Sequence, residues 1–343
     1  MTIRLLLADD QATLARFEHG HDEAFDHAAG WLYEGMANAY RGGAARLAIA
    51  GDDPSLLAGQ DPDKVARANR ARSKAYMPAL EQIANFSTNW TIVSAATPAW
   101  ARTVFPDLPE DQAVVRLWDA IFSASRVDGP DPVGAWEAHN RALSDRTAYL
   151  NARRYAALHF RGPGTDLTVG LADDHEWCGG ATTAKNGIVC NANIPTEEVF
   201  TTPHRLRVQG HVSATKPLSY QGTLIDGIAV RFEEGRIVEA RARTGGDVLA
   251  KVIDTDEGAR RLGETARVDV RAESKRAVVG QPDCVVDVFD AHDRQHRAKR
   301  FGADEVHVVF DEQDADAFVA QLPQQRRELF LLHVTQAGGG LVE

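Results

Sequence analysis

The chain has 343 residues, of which 44% are hydrophobic and 25% charged, a composition typical of globular proteins and far from that of disordered segments. The formal net charge of −11 argues against nucleic acid and anionic membrane surfaces as partners, because both carry negative charge. The three cysteines include no C-x-x-C pair, which argues against a disulfide framework. The sequence has no signal-peptide pattern, which predicts a cytoplasmic protein. It also has no apolar window of 18 residues, which predicts that the protein does not span a membrane.

Predicted strands and helices alternate along the first 160 residues. Strands are predicted at residues 3–8, 46–50 (buried) and 90–94, and helices at 22–42, 62–85, from 97 onward, 110–124 and 131–158. This alternation predicts an α/β domain over residues 1–160 with a largely parallel sheet. Its first strand starts almost at Met1, with no helix ahead of it, so we expect a domain that is incomplete at its start.

Short strands dominate after residue 160. They are predicted at residues 166–171, 187–191, 207–214, 223–232 and 236–243, followed by a helix over 247–262 with Gly263 as its C-cap. The chain is therefore divided near residue 160, and residues 161–343 are predicted to form a mixed α+β domain rich in antiparallel strands. Its charged tail, residues 265–343, carries two further strand patterns at 285–289 and 306–310.

Two adjacent carboxylates, Glu197 and Glu198, precede a β-branched and aromatic run. Neighbouring residues on a strand point to opposite faces, so one acid can face a cleft while the other faces solvent. The pattern alone favours two exposed acids at a loop–strand junction, which is the commoner situation for glutamate. Glu264, which follows Leu262-Gly263, is unremarkable by local pattern.

Other chemical motifs are sparse. His292 and His296 have the spacing of one helical face, but the surrounding charges favour a solvated helix over a metal site. The chain contains no H-E-x-x-H, no phosphate-binding G-x-x-x-x-G-K-[ST] and no G-x-S-x-G. A faint likeness of residues 301–306 to nucleotide-binding domains lacks a glycine-rich phosphate loop, which argues against a nucleotide-binding oxidoreductase.

Several long strings stand in a fixed order along the chain. They are A-R-L-A-I-A-G-D-D-P at 45–54, L-H-F-R-G-P-G-T-D-L at 158–167, H-E-W at 175–177, N-I-P-T-E-E-V-F at 193–200, S-A-T-K-P-L-S-Y at 213–220, D-T-D-E-G-A at 254–259 and L-G-E at 262–264. On these strings the chain resembles the thermophilic metalloaminopeptidase family, also called leucyl or PepS-like aminopeptidases, over residues 20–264.

The resemblance implies an enzyme that removes N-terminal residues from peptides with two divalent ions, zinc, cobalt or manganese, which share a bridging hydroxide. The two glutamate ligands of the family match Glu198 and Glu264. Its histidine ligands match His296, at the end of F-D-A-H-D-R-Q-H, and His333, in H-V-T. The family likeness also predicts a homodimer, and it identifies no general base in this chain.

The tail departs from the family pattern. Thr335 stands where the family has an aspartate ligand, Ala303 replaces a family tyrosine, and the residues between Glu264 and Phe289 show no likeness. Because a neutral hydroxyl replaces an anionic ligand, we expect weak binding of the second metal ion. Two functions stay open: an active metalloaminopeptidase, and a catalytically impaired relative with one metal or none that has a structural or binding role.

Overall fold

The structure is a computed structural model. It describes residues 3–53, 56–57, 59–215, 218–220, 223–254, 257–268, 285–290, 299–302 and 306–310. Within these residues, none of the helices combines the length and the apolar character that crossing a membrane requires.

The chain up to residue 153 is mainly helical. Its α-helices are α1 (Asp10–His19), α2 (Gly30–Arg41), α3 (Pro62–Ala84), α4 (Pro98–Val104), α5 (Glu110–Ala124) and α6 (Pro132–Arg153), with a 3₁₀ helix at Asp22–Asp26. Two strands, β1 (Arg46–Ala50) and β2 (Trp90–Ser94), pair in parallel along their whole length. The predicted α/β class with a parallel sheet is confirmed.

Three helices begin with the same local signature, a capping side chain followed by proline. Asp61 accepts hydrogen bonds from the backbone N–H groups of residues 63 and 64, Thr97 from that of residue 100, and Asp131 from that of residue 134. A side-chain oxygen at this position satisfies a helical N–H that has no partner in the helix, and proline needs no such partner. These local signals explain why the three helix starts could be predicted.

Other predictions for this part were wrong in detail. Residues 3–8 form no strand, and Ile3 and Leu5 are exposed, while Asp9 caps the unpredicted helix α1. The predicted helix 22–42 is split into the 3₁₀ helix and α2. Strand β1 was predicted to be buried, yet Leu47 and Ile49 are 63% and 61% exposed.

Strands follow from residue 155. They are β3 (Tyr155–Gly162), β4 (Thr165–Leu171), β5 (Cys178–Gly179), β6 (Thr182–Thr183), β7 (Val189–Cys190), β8 (Glu198–Thr201), β9 (Pro203–Ser213), β10 (Leu218–Tyr220), β11 (Thr223–Ile225), β12 (Ala229–Glu233), β13 (Arg236–Arg241), β14 (Leu262–Val268), β15 (Val285–Asp290), β16 (Lys299–Gly302) and β17 (Val306–Phe310). One α-helix, α7 (Gly246–Ile253), and a 3₁₀ turn at Gly258–Arg260 interrupt them.

Two antiparallel sheets dominate this part. The larger has the strand order β13-β12-β9-β4-β3-β15-β16, and the smaller has the order β17-β14-β8-β5. Leu167, Phe232 and Ile237 are fully buried in a single apolar cluster that also includes Leu249 of α7. The predicted antiparallel part of the fold is thereby confirmed, including strands near 285–289 and 306–310.

Two predicted helices end earlier than expected. Helix α6 stops at Arg153, since Arg154 adopts a left-handed conformation, and Tyr155 opens β3 instead. Helix α7 ends at Ile253, and Leu262 already belongs to β14, so Gly263 lies in a strand and is not a helix C-cap. Helices give way to strands just before residue 160, and the division into two domains there stays a prediction.

Candidate functional site

Strand β8 carries Glu198, and its neighbour β14 carries position 264. The two strands are antiparallel, with Val268 opposite Glu198 and Ala266 opposite Phe200. Alternate residues of a strand share a face, and directly opposed residues of an antiparallel pair share the same face. By this register, positions 198 and 264 fall on the same face of the smaller sheet, four residues apart along the strand direction.

Glu198 has an unusual electrostatic environment. The residue is partly buried, and burial raises the pKa of its carboxyl group to about 7. Among the residues that the structure describes, no Lys, Arg or His forms an ion pair with it. A desolvated carboxylate without a counter-charge is unfavourable, and a divalent cation would supply that charge. The environment of Glu198 thus fits a metal ligand.

The backbone of Glu198 is held by close packing against β5. A Cβ atom at Gly179 would lie 2.7 Å from the carbonyl oxygen of Glu198 and 2.9 Å from the side chain of Val199, so only glycine allows this approach. Three residues after Glu198 on β8, the buried hydroxyl of Thr201 donates a hydrogen bond of 2.7 Å to the carbonyl of Glu176. The strand that carries Glu198 is therefore held on its β5 side by contacts that involve no residue of the tail.

Glu197 points away from solvent, so the local pattern, which favoured two exposed acids at this junction, was wrong. Its carboxylate accepts two hydrogen bonds from the guanidinium of Arg126, at 2.5 and 2.8 Å. The side chains of Glu197 and Arg126 are 13% and 25% exposed. A bidentate pair of this kind is both strong and geometrically specific. Glu197 is thus a buried structural acid next to the candidate ligand.

Helix α6 supplies further contacts to the same segment. The Nε2 of His139 donates a hydrogen bond of 2.6 Å to the carbonyl of Thr196, and burial lowers the pKa of this histidine, which keeps the imidazole neutral. The guanidinium of Arg126 lies 5.6 Å from the ring centre of Trp136, whose Nε1 donates to the carbonyl of Ser125. The ring of Trp136 therefore helps to hold the guanidinium of Arg126 in the orientation in which it binds Glu197.

The segment ahead of Glu198 also joins the parallel sheet of the helical part. Ile92 of β2 donates its N–H to the carbonyl of Ala192 and accepts from the N–H of Ile194, at 2.8 and 3.0 Å. The side-chain amides of Asn140 and Asn191 exchange two hydrogen bonds, at 2.9 and 3.0 Å. Residues 191–197 consequently connect the helical part of the chain with the strand that carries Glu198.

The remaining predicted ligands are untested. His296, His333 and Thr335 lie outside the described residues, as does the predicted helix with His292. Across the described part of the chain, no group of three or more His, Cys, Asp or Glu side chains is arranged to hold a metal ion. The set Glu198, Glu264, His296 and His333 therefore stays a prediction.

Comparisons with known proteins identify the family of this chain. The family model for thermophilic metalloproteases (M29) matches residues 2–279. The protein named Aminopeptidase T of Thermus thermophilus is 59% identical over 264 residues, and Aminopeptidase AmpS of Bacillus subtilis is 40% identical over 260 residues. The solved structure of wild-type AmpT from Thermus thermophilus superposes with a TM-score of 0.77 at 46% identity, covering 86% of this chain and 84% of that chain.

The family match covers most of this chain, whose fold is of the mixed α/β class. The chain belongs to the thermophilic metalloprotease family M29. The resemblance seen in the sequence is thereby confirmed. The matched residues make up 77% of this chain but only 65% of Aminopeptidase T from Thermus thermophilus, and 76% of this chain but 63% of AmpS.

Proposed function

We propose that this chain is a metal-dependent aminopeptidase that hydrolyses the N-terminal residue from peptides. Membership of the family and the names of the relatives support the reaction class. The observation that carries the proposal is Glu198, a desolvated carboxylate without a described cation partner, which lies on the same sheet face as position 264.

In this proposal the protein side chains do the binding and orienting. Bound divalent ions would supply the polarisation of the scissile carbonyl and the activation of water. Glu198 would hold a cation with an ionised carboxylate, which loses its proton when the ion binds. Glu264, His296 and His333 would complete the ligand set. A position that these ligands leave open would be available to the free α-amine of the substrate, which would explain exopeptidase action.

A second candidate has one specific observation in its favour. Thr335 takes the position of an aspartate ligand of the family, and a neutral hydroxyl gives less charge compensation to a second dication. The alternative is therefore a catalytically impaired relative that retains one metal ion or none and has a structural or binding role. A cytoplasmic location and a homodimeric state stay predictions from the sequence.

The two candidates separate in an assay of the full chain. The protein is stripped with a chelator, reloaded with Co²⁺, Zn²⁺ or Mn²⁺, and incubated with leucyl p-nitroanilide. An active aminopeptidase releases nitroaniline only in the reloaded samples, because the apo-protein lacks the group that activates water. Glu198→Ala and Glu264→Ala serve as inactive controls.

The metal content of each sample is measured after gel filtration. Retained metal together with release above both controls supports the active enzyme. Retained metal without release, for any of the three ions, supports the impaired relative. Absence of both metal retention and release in the wild-type chain contradicts the metallopeptidase proposal and supports an impaired relative without metal.

A further inference from the structure

The residues just ahead of Glu198 are held by the helical part of the chain through side chains that are mostly buried. Arg126 binds both oxygens of Glu197, and His139 holds the carbonyl of Thr196. A second contact joins His139 to Glu197, with 3.9 Å between Nε2 and the nearer carboxylate oxygen. Every one of these contacts falls within the two residues that precede Glu198.

Contacts other than the ion pair also hold the guanidinium of Arg126 in its orientation. Arg126 follows α5 with φ 57°, a left-handed conformation that ends the helical path of the backbone. Its backbone N–H donates to the carbonyl of Ser123, and the ring of Trp136 lies against its guanidinium. Because lysine offers a single charged centre, only arginine at this position can bind both carboxylate oxygens in one plane.

Fixing Glu197 also constrains Glu198. The side chains of consecutive residues in an extended segment point to opposite faces, so the direction of one determines the direction of the next. The strand backbone is already held by β5 and β14 on its two edges. The ion pair adds a fixed point at Glu197, the residue directly before the paired part of the strand.

We propose that the Arg126–Glu197 ion pair, together with the hydrogen bond from His139 to Thr196, is a positioning device that orients Glu198 for metal binding. Arg126, Glu197 and His139 are positioning residues that act through Glu198 and do not touch the metal or the substrate. The inference rests on the proposed function, since it requires Glu198 to be a metal ligand.

The test uses the full chain and Co²⁺, whose visible absorption reports the geometry of its ligands. Arg126→Lys keeps the charge and removes the two-pronged contact, and Glu197→Gln keeps the size and removes the charge. Arg102→Lys is the matched control, because Arg102 forms an ion pair with Glu110 at an exposed site away from β8. Co²⁺ affinity is measured by calorimetry, and apo-protein stability by thermal unfolding.

The expected result is a Co²⁺ Kd raised about 10- to 100-fold in Arg126→Lys and Glu197→Gln, the range found when residues that orient metal ligands are replaced. Their Co²⁺ absorption bands should shift as well, while Arg102→Lys binds like wild type. A Kd within twofold of wild type and an unchanged spectrum in Glu197→Gln, the isosteric variant, would overturn the inference, even where the Tm falls.

Failure of the proposed function gives a different pattern. If the wild-type chain binds no Co²⁺, or if Glu198→Ala binds it as tightly as wild type, then Glu198 is not a ligand, and both proposals are wrong. If wild type binds Co²⁺, Glu198→Ala does not, and both ion-pair variants match wild type, the metallopeptidase proposal stands and only the positioning role is wrong.

Discussion

Replacing Glu198 by glutamine should stabilise the metal-free protein while abolishing metal binding. Burial raises the pKa of the Glu198 carboxyl from the ordinary glutamate value of 4.5 to about 7. One pKa unit corresponds to about 1.4 kcal/mol, so ionising this carboxyl group in the folded protein costs about 3–4 kcal/mol at most. Glutamine has the same shape as the protonated acid and carries no charge.

The sign of the pH dependence follows from the direction of this shift. Below the unfolded pKa the carboxyl is protonated in both states, and wild type and Glu198→Gln should be about equally stable. As pH rises from about 4.5 to 7 the unfolded chain releases the proton that the folded apo-protein retains, so wild type loses stability and the variant does not. Above pH 7 the difference should stay constant.

The assay is urea unfolding of both apo-proteins, with chelator present, at several pH values between 4 and 8. Glu81→Gln on the exposed side of α3 is the matched control and should show no such pH-dependent gain. Adding Co²⁺ should stabilise wild type and leave Glu198→Gln unchanged, since only a ligand that binds the folded state shifts the midpoint. A variant that is less stable than wild type at pH 8, or a difference independent of pH, would refute the reasoning.

Three further predictions concern packing and the second metal. Leu167→Ala should lower the free energy of unfolding by about 2–5 kcal/mol in urea titrations, because the side chain is fully buried between the strands. Gly179→Ala should lower both the Tm and the affinity for Co²⁺, since the new Cβ meets the carbonyl of Glu198 at 2.7 Å, whereas Gly246→Ala, with no atom within 4 Å, should change neither. Thr335→Asp should raise the Co²⁺ stoichiometry measured by calorimetry toward two ions per chain, and an unchanged stoichiometry would contradict the assignment of that position.

Elements with local signals were predictable from the sequence, and elements that depend on distant partners were not. The capping residues Asp61, Thr97 and Asp131 mark helix starts within a few residues. Residues 155–158 were assigned to a helix because alanine and leucine favour helices. In the structure they pair with β4 and β15, and this sheet pairing overrides the local preference.

In the candidate site, too, residues with a signal in the sequence were predicted, and residues defined by distant partners were not. The family strings led to Glu198, whereas the local pattern favoured an exposed acid there. Arg126 and His139 were missed, because their partners Glu197 and Thr196 lie 71 and 57 residues further along the chain. Gly179 was missed for the same reason, since its need for a glycine comes from the backbone of another strand. The local sequence signal for this site was that two acids are adjacent, and this adjacency does not indicate which residue each acid contacts.

Strand β8 links the helical part of the chain to the residues that would complete the metal site. On one side, residues 192 and 194 form hydrogen bonds with Ile92 of β2, and residues 196 and 197 are held by His139 and Arg126. On the other side, β14 carries position 264 and pairs with β17 in the tail. A shift of either partner strand would move Glu198 relative to the other ligands. The geometry of the metal site therefore depends on packing across the whole chain, which is why no short motif in the sequence could specify it.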